Sequence, residues 1–153
     1  WMEATKFYDK AIQLRKTIQD DSYGLDYYYE FLAEAYFNLG KIDEFIRVFE
    51  ESGDLMNDPQ NKAIIYNRIG NLHSDLQQFS EAIPFYRKAI ELDPGIPIYN
   101  SNTGLMYNLL NNWNEAVAYF QKAYDLRLKA TADPYDFDYY RNFLEEAKAN
   151  SQK

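Results

Sequence analysis

The sequence predicts an all-α protein built as an array of antiparallel helix pairs, and three observations carry that reading. Apolar and small residues recur at three- and four-residue steps along the chain, and no alternating strand pattern is present. Ala63 to Gly95 contains two such helical periods broken by one turn. Ile65, Tyr66, Ile69, Leu72, His73 and Leu76 form the first stripe, and Phe79, Ala82, Ile83, Tyr86, Ala89 and Ile90 the second. Shifting this unit along the chain places Gly70 on Gly104, Ala82 on Ala116, Tyr86 on Phe120 and Ala89 on Ala123, each 34 residues apart.

A step of this length with these residue types resembles the tetratricopeptide repeat, whose first helix carries an aromatic, a Leu and a Gly and whose second carries Ala, an aromatic, Ala and Pro. Tyr66, Ile69, Gly70, Ala82, Tyr86, Ala89 and Pro94 match that order in the central unit. The resemblance implies a right-handed superhelical array of antiparallel helix pairs, an α-solenoid whose core is a continuous seam and which forms one domain. Gly70 and Gly104 are expected to pack against Ala82 and Ala116 within their own pairs, where small residues let two helices approach closely.

Residues 1–20 read as a second helix without its first. Ala4, Tyr8 and Ala11 have the Ala, aromatic, Ala spacing, and a lone helix of this length must dock to be stable. The chain opens on Trp1 rather than Met, in mid-repeat, which reads as a piece of a longer protein. The link that follows carries Asp20, Asp21, Ser22 and Gly24 and is expected to break the helix. Residues 25–59 form a divergent first repeat. Tyr29, Leu32, Ala33 and Tyr36 stand on its first helix, Gly40 closes the turn, and the second helix is expected from Ile42 to about Ser52. Phe45 there occupies the place that Ala82 and Ala116 fill, so this pair is expected to be splayed. Gly53, Asn57, Asp58 and Pro59 read as a loop, with Asp58 as cap and Pro59 as first turn of the next helix. Residues 63–96 are the second repeat, ended by Pro94. Residues 97–130 are the third, in which Asn100 and Thr103 replace the aromatic and the Leu while Gly104, Tyr107, Ala116, Phe120 and Ala123 stay in place. Thr131, Asp133 and Pro134 end it. Residues 134–153 read as a C-terminal capping helix.

With 46% apolar and 18% aromatic residues the chain can bury a core, and its Tyr and Phe serve as packing wedges. A net charge of −8 gives a field that disfavours nucleic acid and anionic membrane surfaces. With no cysteine there is neither disulfide nor thiolate chemistry, and no apolar run is long enough to span a bilayer. No targeting segment is visible, and a cytoplasmic location is expected. No catalytic constellation, cofactor site or metal site is found, so the chain reads as a non-enzyme. The lone His73 is expected to be a packed core histidine, because no second His or Cys completes a site. Glu30 and Glu34, one turn apart, read as a solvated acidic face.

The polarity of the inner helices stands out. Ile98 to Asn112 has no charged residue but is rich in Asn. Carried over from the resemblance, the groove positions are Ile64, Asn67, Arg68, Asn71, Ser74 and Asp75, then Ile98, Ser101, Asn102, Leu105, Asn108 and Leu109. The first repeat adds Tyr27, Glu30, Phe31, Glu34 and Phe37. Side-chain amides hydrogen-bond a peptide backbone without demanding a particular side chain. The expected function is a protein–protein interaction or scaffold module that binds a peptide segment in this groove. Its partner is expected to be neutral or basic rather than acidic, since Arg68 is the lone cation against Glu30, Glu34 and Asp75. Two other readings stand beside it. One is a regulatory or sensor segment of a larger enzyme, such as a signalling ATPase, protease or transferase. The other is a homo-oligomerisation module using Trp1, Tyr27 to Tyr29 or the Tyr139–Tyr140 pair.

Overall fold

The computed structural model describes residues 1–17, 25–55, 58–129 and 137–152, and every described element is an α-helix. The chain forms two compact units, residues 1–57 and 58–153. The first contains α1 (Met2–Thr17), α2 (Leu25–Asn38) and α3 (Ile42–Leu55), and the second α4 (Pro59–Asp75), α5 (Phe79–Leu92), α6 (Pro97–Leu109), α7 (Trp113–Lys129) and α8 (Phe137–Ser151). The expected breaks at Asp20 to Gly24, at Asn57 and at Thr131 to Pro134 lie outside the described residues, as does the expected start of the last helix at Pro134.

The helix ends follow from local chemistry. Oδ1 of Asp58 accepts the Gln60 amide at 3.0 Å, which caps α4, and Pro59 stands where a missing amide hydrogen costs nothing. Three turns between paired helices are built alike. Gly40, Gln77 and Asn111 adopt positive φ (69°, 59° and 60°), and the next amide reaches back to Tyr36, His73 and Tyr107 at 2.8–2.9 Å. A left-handed residue after the last helical turn lets these amides satisfy carbonyls that the helix leaves open. One boundary differs from expectation. Helix α3 continues past Ser52 through Gly53 to Leu55, because a single interior glycine costs about 1 kcal/mol, too little to stop a helix without a proline or cap.

In the first unit α1 packs on α2, and α2 on α3. Ile12 is the buried apolar anchor of α1, the Tyr8 and Phe31 rings stack at 5.5 Å, and the Tyr36 hydroxyl donates to Asp9 Oδ2 at 3.1 Å. Burial and the neighbouring Asp9 carboxylate hold the Tyr36 hydroxyl above its ordinary pKa. Trp1 before α1 and Met2, Phe7 and Leu14 within it stay exposed.

In the second unit each helix packs on the next, and α6 also meets α8. The cores are layered along the array. Ala63, Ala89 and Tyr99 form one cluster, Ala82, Tyr86 and Met106 the next, and Ala116, Phe120, Leu144 and Ala147 the last. The atoms nearest Gly70 and Gly104 belong to aromatic rings. A Cβ on Gly70 would stand 2.6 Å from Tyr86 Cε1, and one on Gly104 would stand 2.9 Å from Phe120 Cδ1. Each glycine makes room for the aromatic ring of its own second helix, while Ala82 and Ala116 pack elsewhere in the same clusters. The first unit has Ala33 where the others have glycine, and its aromatic, Phe49, is 8% exposed against 2% for Tyr86 and 1% for Phe120. Phe45 is half-buried and turned toward Phe37 and Phe49, with centroids at 5.8 and 4.7 Å.

Gly70→Ala is expected to destabilise the chain, because overpacking costs about 1–3 kcal/mol and outweighs the about 1 kcal/mol that Ala gains over Gly in a helix. In a Tyr86→Leu background the same change should stabilise instead. Urea unfolding of the four variants gives the sign in each background, and equal effects in both would remove the ring from the argument. Hydrogen exchange should find α1 faster than α4 and α5, since it packs chiefly on α2 and leaves Met2, Phe7 and Leu14 in water.

Candidate functional site

The expected groove positions of the second unit lie on α4 and α6, where side chains three, four and seven residues apart share a face. Three of the asparagines are brought together. Asn102 Nδ2 donates to Asn67 Oδ1 at 2.9 Å and lies 3.4 Å from Asn71 Oδ1, so the amides join the first helices of two successive repeats. The Tyr86 hydroxyl donates to the same Asn71 oxygen at 2.9 Å. Burial pushes this hydroxyl far above its ordinary pKa, which keeps it a donor. The ring for which Gly70 makes room thus ends on the amide cluster, and packing is coupled directly to the candidate site.

Around the cluster, Ile64, Arg68, Asn71, Asp75 and Leu109 are exposed, and Asn67, Ser74, Ile98, Asn102 and Leu105 are half-buried. Ile64 and Leu109, 44% and 47% exposed, are the apolar side chains of this face most open to a ligand. Leu105 is committed to the interior, packing on the clusters around Tyr86 and Phe120. Two expectations need correction. Ser101 is 2% exposed and out of a ligand's reach, because α6 is enclosed by α5, α7 and α8. Asn108 Oδ1 is buried without a hydrogen-bond partner, so that oxygen is closed to a peptide. Glu30 and Glu34 are exposed on α2 of the first unit, with Tyr27 and Phe37 exposed and Phe31 half-buried on the same helix.

His73 is also not a core residue. It is half-buried at the end of α4, stacked on Phe85 with centroids at 5.1 Å, and its Nδ1 lies 2.8 Å from Gln78 Oε1. The stripe position placed it correctly along the helix, but near the end of α4 it packs on one ring of α5 and stays half-buried. Among the described residues, no three His, Asp or Glu side chains gather as a metal site, and no helix is long and apolar enough to cross a membrane.

Sequence reasoning missed a cleft of about 490 Å³ on the layer of second helices, between α5 and α7 with α6 beneath. Asn100 lines it. The signal was the departure from the repeat pattern at that residue.

Family models described as tetratricopeptide repeat match residues 27–52, 63–96 and 101–131. The chain belongs to the tetratricopeptide repeat family. It has the all-α helical repeat fold of that family and is a protein-interaction module. No curated protein sequence matches it significantly. Among solved structures, a T3SS complex from Aeromonas hydrophila contains a chain with TM-score 0.71 and 19% identity, over 89% of each chain. BtubC (BKLC) from P. vanneervenii gives TM-score 0.72 and 18% identity, over 99% of this chain and 66% of that one. PcrH, solved in complex with the chaperone binding region of PopD, gives 0.71 and 17%, over 88% and 98%. At these identities the likeness is one of fold.

Tyr86→Phe should cost about 1 kcal/mol in urea unfolding, the net worth of the hydroxyl bond to Asn71, while leaving the ring under Gly70 in place. A neutral result would mean that water serves Asn71 equally well.

Proposed function

We propose that the α4–α6 face of the second unit captures a short segment of a partner protein. The carrying observation is the amide cluster of Asn67, Asn71 and Asn102, which spans two repeats beside the exposed Ile64 and Leu109. Internal hydrogen bonds use the oxygens of Asn67 and Asn71 and one amide group of Asn102, so these side chains are already oriented. The amide hydrogens of Asn67 and Asn71 and the oxygen of Asn102 remain for a peptide backbone. Orienting them before binding lowers the ordering cost of recognition. Ile64, Ile98 and Leu109 supply apolar contact, Leu105 supports them from below, and Ser74 and Asn108 border the face. Arg68 and Asp75 leave it near neutral, and the exposed Glu30 and Glu34 add negative charge to the first unit, so a neutral or basic segment is preferred to an acidic one. The complex of PcrH with the chaperone binding region of PopD, on a similar fold, supports peptide capture as a use of this architecture. Affinity is expected to be about micromolar, because ordering a flexible peptide offsets much of its contact energy.

Selection from a phage-displayed random peptide library, followed by fluorescence anisotropy with the selected synthetic peptides, tests this reading. The peptides should be neutral or basic with apolar anchors. Asn71→Ala with Asn102→Ala should weaken them by about tenfold or more, the worth of one to two hydrogen bonds. That double variant also deprives the Tyr86 hydroxyl of its partner, so Ile64→Ser, at an exposed position, is measured beside it and should weaken binding as well. Unchanged affinity in both variants, or selection of Asp- and Glu-rich peptides, would overturn the proposal.

A further inference from the structure

The cleft between α5 and α7 lies where the repeat pattern calls for a ring that this chain does not supply. Asn100 occupies the place held by Tyr29 in the first pair and by Tyr66 in the second. In the second pair the Lys88 ammonium lies 4.7 Å from the Tyr66 ring centroid and 5.5 Å from that of Phe85, so one cation covers two rings. Thirty-four residues on, Lys122 lies 5.1 Å from the ring of Tyr119, the counterpart of Phe85. The second ring would be residue 100, and there the cleft opens.

What lines the cleft states what it accepts. Ile90 and Leu126 give apolar walls suited to the faces of a ring. Asn100 is 3% exposed and lines the cleft. An amide on a cleft wall favours an entering group that both donates and accepts, as a phenol hydroxyl does. Arg87, Lys122 and Lys129 stand against Glu91 and Asp125 around the rim, and Asp125 also receives Gln121 Nε2 at 2.9 Å. Near-balanced charge with a cation over the ring position suits a neutral, electron-rich ring better than a phosphate or a second cation.

We propose that this cleft is a docking site for a tyrosine side chain presented by a partner protein. The ring enters from the outer layer beneath the Lys122 ammonium and beside Tyr119, and its hydroxyl leads, meeting the Asn100 amide at the floor. The incoming ring thereby completes the pair that Tyr66 and Phe85 form in the preceding repeat. This site is separate from the α4–α6 face, and either can fail without the other.

The test is a titration of the ¹⁵N-labelled full chain with N-acetyl-L-tyrosine amide, followed by NMR. Saturable shifts should centre on the Asn100 side-chain amide, Tyr119 and Lys122. N-acetyl-L-phenylalanine amide should bind about three- to tenfold more weakly, the worth of one hydrogen bond. Asn100→Tyr, which restores the chain's own ring, should abolish the shifts and raise the melting temperature. Should that variant not fold, Lys122→Met at an exposed position serves instead and should weaken binding. Shifts that are absent, or that persist in the folded Asn100→Tyr chain or are unchanged by Lys122→Met, would overturn the proposal. Equal binding of the phenylalanine probe would overturn it too. Tighter binding of N-acetyl-O-phosphotyrosine amide would make this an anion site. A dimer in sedimentation velocity that Asn100→Tyr disperses would assign the cleft to a second copy of the chain, and either result would displace the present proposal.

Discussion

The rings of Tyr86 and Phe120 stand where residues 70 and 104 would place a Cβ, and the arrangement of the second unit depends on that contact. Glycine is unfavourable in a helix interior, so its presence in α4 and α6 needs a compensating gain. The gain is a nearly complete burial of a large ring, which contributes about 1.5–3 kcal/mol and brings neighbouring elements into register. Through its hydroxyl the Tyr86 ring also fixes Asn71, and through Asn71 it reaches Asn102 on the next repeat. Packing inside one helix pair thus orients polar groups that join two pairs. The first unit shows the alternative. Ala33 brings a Cβ where the other pairs have none, and Phe49 and Phe45 settle into a cluster of partly exposed rings instead of one ring sealed under a glycine.

Much of this was legible in the sequence, for reasons that are local. Apolar stripes mark helices because side chains three and four apart share a face, and Asp58 with Pro59 marks a helix start because the first turn has amides to cap. The 34-residue step follows from one unit repeating the same contacts. What was not legible depends on which neighbour fills a space. A glycine signals close approach without saying to what, and here the partner is a ring rather than a backbone. His73 keeps a stripe position yet lies near a helix end, where it packs on Phe85 and stays half-buried. Gly53 looks like a stop but lies within α3.

The polar character of α6 shows how two explanations share the same residues. Its lack of charge first suggests a surface made for a peptide backbone. Enclosure supplies a second reason, since α6 packs against α5, α7 and α8, and an ionised side chain on those faces would lose its hydration without a partner. Ser101 and Thr103 are buried accordingly, and the Thr103 hydroxyl donates to its own helix at Tyr99 O, 2.8 Å away. On the side of α6 that turns toward α4, Asn102 is shared between holding the repeats together and presenting polar atoms outward.

Asn100 and Asn102 are two residues apart on one helix, and so they face different ways. Asn102 joins the first-helix layer and lies among oxygens that already accept from it. Asn100 lies under the second-helix layer in a cleft, nearly buried, at a place where the chain elsewhere uses tyrosine. Replacing tyrosine by asparagine there forgoes the burial of a ring and leaves a polar group in its stead, a change unfavourable to folding on both counts. The structure opens a cleft on the outer layer at one of the places where the sequence departs from its own repeat. A fold that fills the equivalent place with Tyr66 under Lys88 can be completed at Asn100 by a ring from another chain, because Tyr119 and Lys122 already hold the geometry that ring requires.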